Sequence, residues 1–124
     1  MKEAMFLIFL LFSKHFFIDH PFQTDYQRNH KHIYAHWGGI LHSLLHGLVT
    51  GIILMFFISN PWVIVGLAMF DIVAHYHIDW IFSNFMERTG WSPQCDKEYW
   101  WFKGLSQYLH AVTYILIVLF ALSL

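Results

Sequence analysis

The sequence predicts an all-α integral membrane protein: a four-helix bundle forming one transmembrane domain over residues 1–124. Three observations predict it. Hydrophobic residues make up 57% of the 124 positions and charged residues 12%, a balance too apolar for an ordinary water-soluble domain. The apolar positions gather into four runs, at about 4–21, 35–58, 61–85 and 104–124, each near the length that crosses a bilayer. The segments between them are polar and carry the breakers, Pro21, Asn60-Pro61, Thr89-Gly90 and Ser92-Pro93.

The first run opens Lys2-Glu3 and continues through Phe12, which superficially resembles a signal peptide. No small-x-small cleavage pattern follows, and the run extends past Lys14, His15 and Asp19 to Pro21, so it is expected to stay as helix one. Residues 22–34 read as a polar loop, with His30, Lys31 and His32 expected to be solvated at the interface. The second helix carries Gly39, Ser43, Gly47 and Gly51 every four residues, a small-residue row that lets a neighbouring backbone approach. Asn60-Pro61 suits a helix start, and the third helix follows to about Phe85. Residues 87–103 read as a loop ending in the aromatic belt Tyr99-Trp100-Trp101-Phe102, and the fourth helix begins at about Gly104. Arg28, Lys31, Arg88, Lys97 and Lys103 lie in the loops after helices one and three, against Lys2 on the other side. The positive-inside rule therefore places both termini on the non-cytoplasmic side.

A formal net charge of -1 leaves no basic stripe for a phosphate backbone, which argues against nucleic acid as a partner. Cys95 is the single cysteine, so neither a disulfide framework nor a cysteine zinc site is available. Histidine is the abundant ligand type, at ten residues. On helix three, Asp71, His75 and Asp79 fall at i, i+4 and i+8, one stripe of a single helix. Carboxylates and imidazoles at membrane depth are costly unless something offsets them. Adjacent helices run antiparallel, so the end of one lies level with the start of the next. By that rule His15 and Asp19, His42 and His46, Asp71, His75 and Asp79, and His110 all fall in the cytoplasmic half. These eight residues are the candidate metal ligands, and Gln23, Lys31 and Gln107 the candidate supporting or substrate-facing groups. His20, His36 and His77 point elsewhere on their helices. Mixed imidazole and carboxylate donors suit zinc, with iron or manganese as alternatives, and so many groups fit one or two ions.

The ordered signatures His15-x-x-x-Asp19-x-x-x-Gln23 with Lys31 downstream, His42 with His46, His75-x-x-Ile78-Asp79, and Gln107-x-x-His110 resemble a family of small polytopic membrane proteins of phages and bacteria known only as a domain of unknown function. More distantly they are similar to bacterial inner-membrane proteins described as metal-dependent hydrolases. The sequence departs from the family pattern at Ser106, where an acid is expected, and at Phe82, Ser83 and Asn84, where a Lys often follows.

The function expected is that of a membrane-embedded metal-dependent hydrolase acting on a lipid headgroup or phosphoester. An ion with an open position acidifies water and polarises a phosphoryl or carbonyl oxygen, and Asp19 or Asp79 is the expected general base. The resemblance implies the bacterial inner membrane. Alternative readings are a divalent-cation or proton transporter, which four spans would serve best as a homo-oligomer, an oxidative di-iron enzyme, and a non-enzymatic phage-type membrane protein with a structural metal. The di-iron reading fits less well, because such bundles favour Glu and Glu-x-x-His spacing.

Overall fold

The computed structural model describes residues 1–123, and they form five helices: α1 (Lys2–Asp19), α2 (Asp25–Asn29), α3 (Trp37–Leu54), α4 (Pro61–Thr89) and α5 (Lys97–Ser123). The long four close a ring in which α3 packs on α4, α4 on α5, and α1 bridges α5 and α3. The short α2 lies against α3.

Local chemistry sets the ends. Thr24 caps α2 by accepting from Gln27 N, and His36 caps α3 through Nδ1, which accepts from Gly38 N at 3.0 Å. Asn60 Oδ1 accepts from Trp62 N at 3.0 Å while Pro61 takes the first turn of α4, where its missing N–H costs nothing. Gly90 ends α4 in the left-handed region, φ 68°, which a Cβ would disfavour. Two expected loops are partly helical. α2 forms inside 22–34, and α5 starts at Lys97 rather than Gly104, so the aromatic belt rides on its first turns. There Phe102 stacks on Phe85 with ring centroids 4.6 Å apart.

Three helices, α3, α4 and α5, are long and apolar enough to cross a membrane. The sequence led to an expectation of four. α1 is as long as α3 but carries Lys2, Glu3, Lys14 and Asp19, which lower its apolar character. Large apolar side chains such as Phe9, Leu48, Trp62, Met69 and Leu119 are exposed around the ring, a surface that water does not favour. The small-residue row of α3 serves packing against α4. A Cβ on Gly47 would run into Ile72 and lie 3.0 Å from the Ala68 carbonyl oxygen, and one on Gly39 would touch the Tyr76 ring at 3.4 Å.

The interior is layered. At one end Leu7, Leu11, Leu54, Ile117, Val118 and Ala121 pack as a purely aliphatic cluster. Tyr114 borders it, and beyond Tyr114 the buried residues turn polar: Lys14, Thr50, Asp71, His46, His42, His75 and His110.

Candidate metal centre

Five imidazoles and two carboxylates converge beyond Tyr114. His46 and His75 stack with centroids 3.7 Å apart, and His75 and His110 at 4.2 Å, while His42 meets His75 at 5.2 Å and His15 meets His110 at 5.0 Å. The i, i+4 spacing puts His42 above His46 on α3 and Asp79 above His75 on α4, so each helix offers two donors to the shared centre. α1 contributes Asp19 from its last turn and α5 contributes His110.

Asp19 and Asp79 bind this cluster from above. Asp19 Oδ1 lies 2.9 Å from both His42 Nε2 and His46 Nε2, and Asp19 Oδ2 lies 2.9 Å from His15 Nε2. Asp79 Oδ2 is 3.1 Å from His75 Nε2 and 3.6 Å from His42 Nε2, and its Oδ1 accepts from His110 Nε2 at 3.1 Å. Two groups of donors lie close enough to hold a metal ion: Asp19, His42, His46 and His75, and His75, Asp79 and His110, with His75 common to both.

Hydrogen bonding separates the donors that are free from those already engaged. His42 Nε2 and His75 Nε2, like the Nδ1 atoms of both rings and Asp71 Oδ1, are buried and take part in no hydrogen bond of acceptable geometry, while Asp79 Oδ2 has ion-pair contacts alone. Buried polar atoms left this way cost about 1–3 kcal/mol each, more for a charge. A metal ion removes that cost. Ligand bonds of about 2.0–2.1 Å in a tetrahedron put donors about 3.3–3.4 Å apart. The separations of 2.9 Å (Asp19–His42), 3.1 Å (His75–Asp79) and 3.6 Å (His42–Asp79) bracket that edge. The donor set could therefore hold a metal ion.

The other candidates play different parts. Asp71, expected as a ligand, stands outside both groups. It forms an ion pair with Lys14 Nζ at 2.9 Å and accepts from Thr50 Oγ1. The physical reason is depth: Asp71 lies two turns, about 12 Å, from Asp79 along α4. Lys14 spends its three donors on Asp71 Oδ2, His46 Nδ1 at 3.0 Å and the His46 carbonyl at 3.2 Å. With Nδ1 accepting, the network puts the His46 proton on Nε2, where it donates to Asp19. His15 likewise stands outside both groups. Its Nδ1 accepts from the Tyr114 hydroxyl at 2.6 Å, and its Nε2 faces Asp19 and Gln107 Oε1, at 3.1 Å. It therefore orients Asp19. Gln23 donates to the Asp19 backbone carbonyl.

Lys31 is not the solvated loop residue expected from its neighbours. Its Nζ lies 3.2 Å from Asp79 Oδ2 and its side chain is 14% exposed. The loop is pinned by Asn84 Nδ2 donating to His32 O at 3.2 Å, and by Ala35 N–H donating to Tyr76. His36 caps α3, and His77 turns back on Val73 O at 2.8 Å, so both lie apart from the centre. Lys14, Thr50 and Tyr114 are the groups that sequence reasoning missed. A signal for Lys14 was present: the depth rule that aligned His15 with helix three applies equally to the residue before it.

The centre opens into a cleft of about 660 Å³ with Asp19 and Asp79 at its floor. Arg28, Lys31 and Lys103 stand on its walls, as do Phe82, Ser83 and Ser106. No protein-family model, curated protein or solved structure matches this chain.

Proposed function

We propose that this protein is a membrane-embedded metal-dependent hydrolase, with zinc at the buried centre and a lipid headgroup or phosphoester as substrate. The observation that carries the reading is a pair of buried imidazole nitrogens without hydrogen bonds, His42 Nε2 and His75 Nε2, facing Asp79 Oδ2 at 3.6 and 3.1 Å. His42, His75 and Asp79 would hold the ion and leave its fourth position open. When bound, such an ion polarises a phosphoryl oxygen and acidifies water. Asp19 faces the cleft and takes the proton from the attacking water, while His15, braced by Tyr114, keeps that carboxylate oriented. Asp71 is reassigned to the ion pair beneath the centre, which holds Lys14 against His46.

In this reading all four long helices span a bacterial inner membrane, with the cleft at the cytoplasmic headgroup level and both termini on the opposite side. α1 crosses because its Lys14 is neutralised inside the bundle. The kinship with phage and bacterial membrane proteins belongs to the same proposal. Transport fits less well, since the aliphatic cluster of Leu7, Leu11, Leu54 and Ile117 leaves no polar route through the far end.

Elemental analysis of purified protein tests the reading, followed by turnover on a phosphoester panel. Wild type is expected to carry stoichiometric zinc, and His75→Ala, which removes the donor shared by both groups, to lose it. Metal-free wild type would sink the hydrolase reading. Stoichiometric metal without turnover would favour a structural ion.

A further inference from the structure

Among the described residues, Lys31 is the one cation that touches both the candidate metal centre and the cleft. Its Nζ lies 3.2 Å from Asp79 Oδ2, the same oxygen that faces His75 and His42, and the residue also lines the cleft wall. The backbone of its loop is tied to α4 through Asn84 and Tyr76, so the side chain moves on a fixed base. The other wall cations differ. Arg28 is already paired with Asp25 at 2.7 Å, and Lys103 has no contact with the centre among the described ion pairs.

Resting on the metal reading above, we infer that Lys31 is the group that selects an anionic substrate, and that the bound ion switches it on. Without an ion, the Lys31 ammonium neutralises Asp79. An ion between His42, His75 and Asp79 takes over that neutralisation and competes for the same oxygen. The Lys31 charge is then left facing the cleft beside the ion's open side, where a phosphoryl group completes both. Phe82, Met86, Trp91 and Phe102 form an apolar wall next to this point, suited to the organic part of a phosphate ester. Ion and phosphoryl group therefore bind with mutual reinforcement, each raising the affinity for the other by the same factor.

The test uses full-length protein in a phosphate-free maltoside detergent. Zinc stoichiometry is measured first, and glycerol 3-phosphate binding is then titrated calorimetrically with and without saturating zinc. Zinc is expected to raise glycerol 3-phosphate affinity about tenfold or more in wild type, the scale of a charge-assisted hydrogen bond. Lys31→Met should keep zinc and lose most of that rise, and Lys31→Arg should keep both. A zinc-loaded wild type with no rise, or a Lys31→Met protein with the full rise, overturns the inference and leaves the metal reading intact. Failure to bind zinc at all overturns the metal reading itself and this inference with it. Should Lys31→Met not fold, Lys31→Gln supplies the same comparison. A repeat with dioctanoyl phosphatidic acid locates the source of the phosphoryl group: tighter, Lys31-dependent binding assigns a lipid headgroup, and equal affinity assigns the phosphoryl group alone.

Discussion

At the far end of the bundle Leu7, Leu11, Leu54, Ile117 and Val118 are buried with no charge among them, whereas one or two turns along the same three helices Lys14, His46 and His110, together with Asp71 of α4, are buried just as completely. The difference teaches what each half does. On the membrane reading, hydrocarbon packs against hydrocarbon whether or not the helices meet, so the aliphatic end would contribute shape and dispersion rather than a strong drive to associate. The polar end is selective. Lys14 on α1 needs Asp71 on α4 and His46 on α3, and Asp19 on α1 needs both histidines of α3, so each bond fixes the register of two helices.

Three substitutions try that contrast, beginning with the largest effect. Lys14→Met leaves Asp71 buried without its counter-charge and should destabilise the protein by about 3–5 kcal/mol, while Lys14→Met with Asp71→Leu should regain much of the loss. Unfolding in mixed micelles followed by circular dichroism measures both. A single variant as stable as wild type would show that the ion pair does not organise the polar half. Leu11→Ala, at the aliphatic end, should cost about 2 kcal/mol in the same assay, the low end for a buried leucine if, as the membrane reading has it, its alternative surroundings are lipid rather than water. If it proves costlier than Lys14→Met, the two halves are ranked the wrong way round. Thr50→Val removes one donor to Asp71 while Lys14 remains, and a loss of about 1.5 kcal/mol is expected. No change would mean that Lys14 alone satisfies that carboxylate.

Much of this was legible in the residues. The four apolar runs become α1, α3, α4 and α5, with Pro61 and Gly90 marking ends by backbone chemistry that local sequence carries. The antiparallel depth rule brought His42, His46, His75, Asp79, Asp19 and His110 to one level, because depth along a helix is fixed by counting at 1.5 Å per residue. Rotation about the bundle is not fixed that way. Asp71 shares a stripe with Asp79 but lies two turns deeper, so counting alone separates it from the centre; which neighbour it meets at that depth depends on which face α1 turns inward, and Lys14 is what it meets. The loops were harder for a similar reason. The five-residue α2 is too short to show periodicity, and the first turns of α5 are aromatic on several faces, so neither announces itself as a helix.

The Lys14–Asp71 pair also constrains how the chain is made. The two residues are separated by 57 positions, so on the membrane reading α1 leaves the ribosome long before its counter-ion exists. A helix with an uncompensated lysine near its middle is a poor candidate for settling alone in hydrocarbon. α1 would have to wait at the insertion machinery or the headgroup region until α4 arrives. Assembly of this bundle is thus an ordered event in which α1 is secured only once α4 has been made.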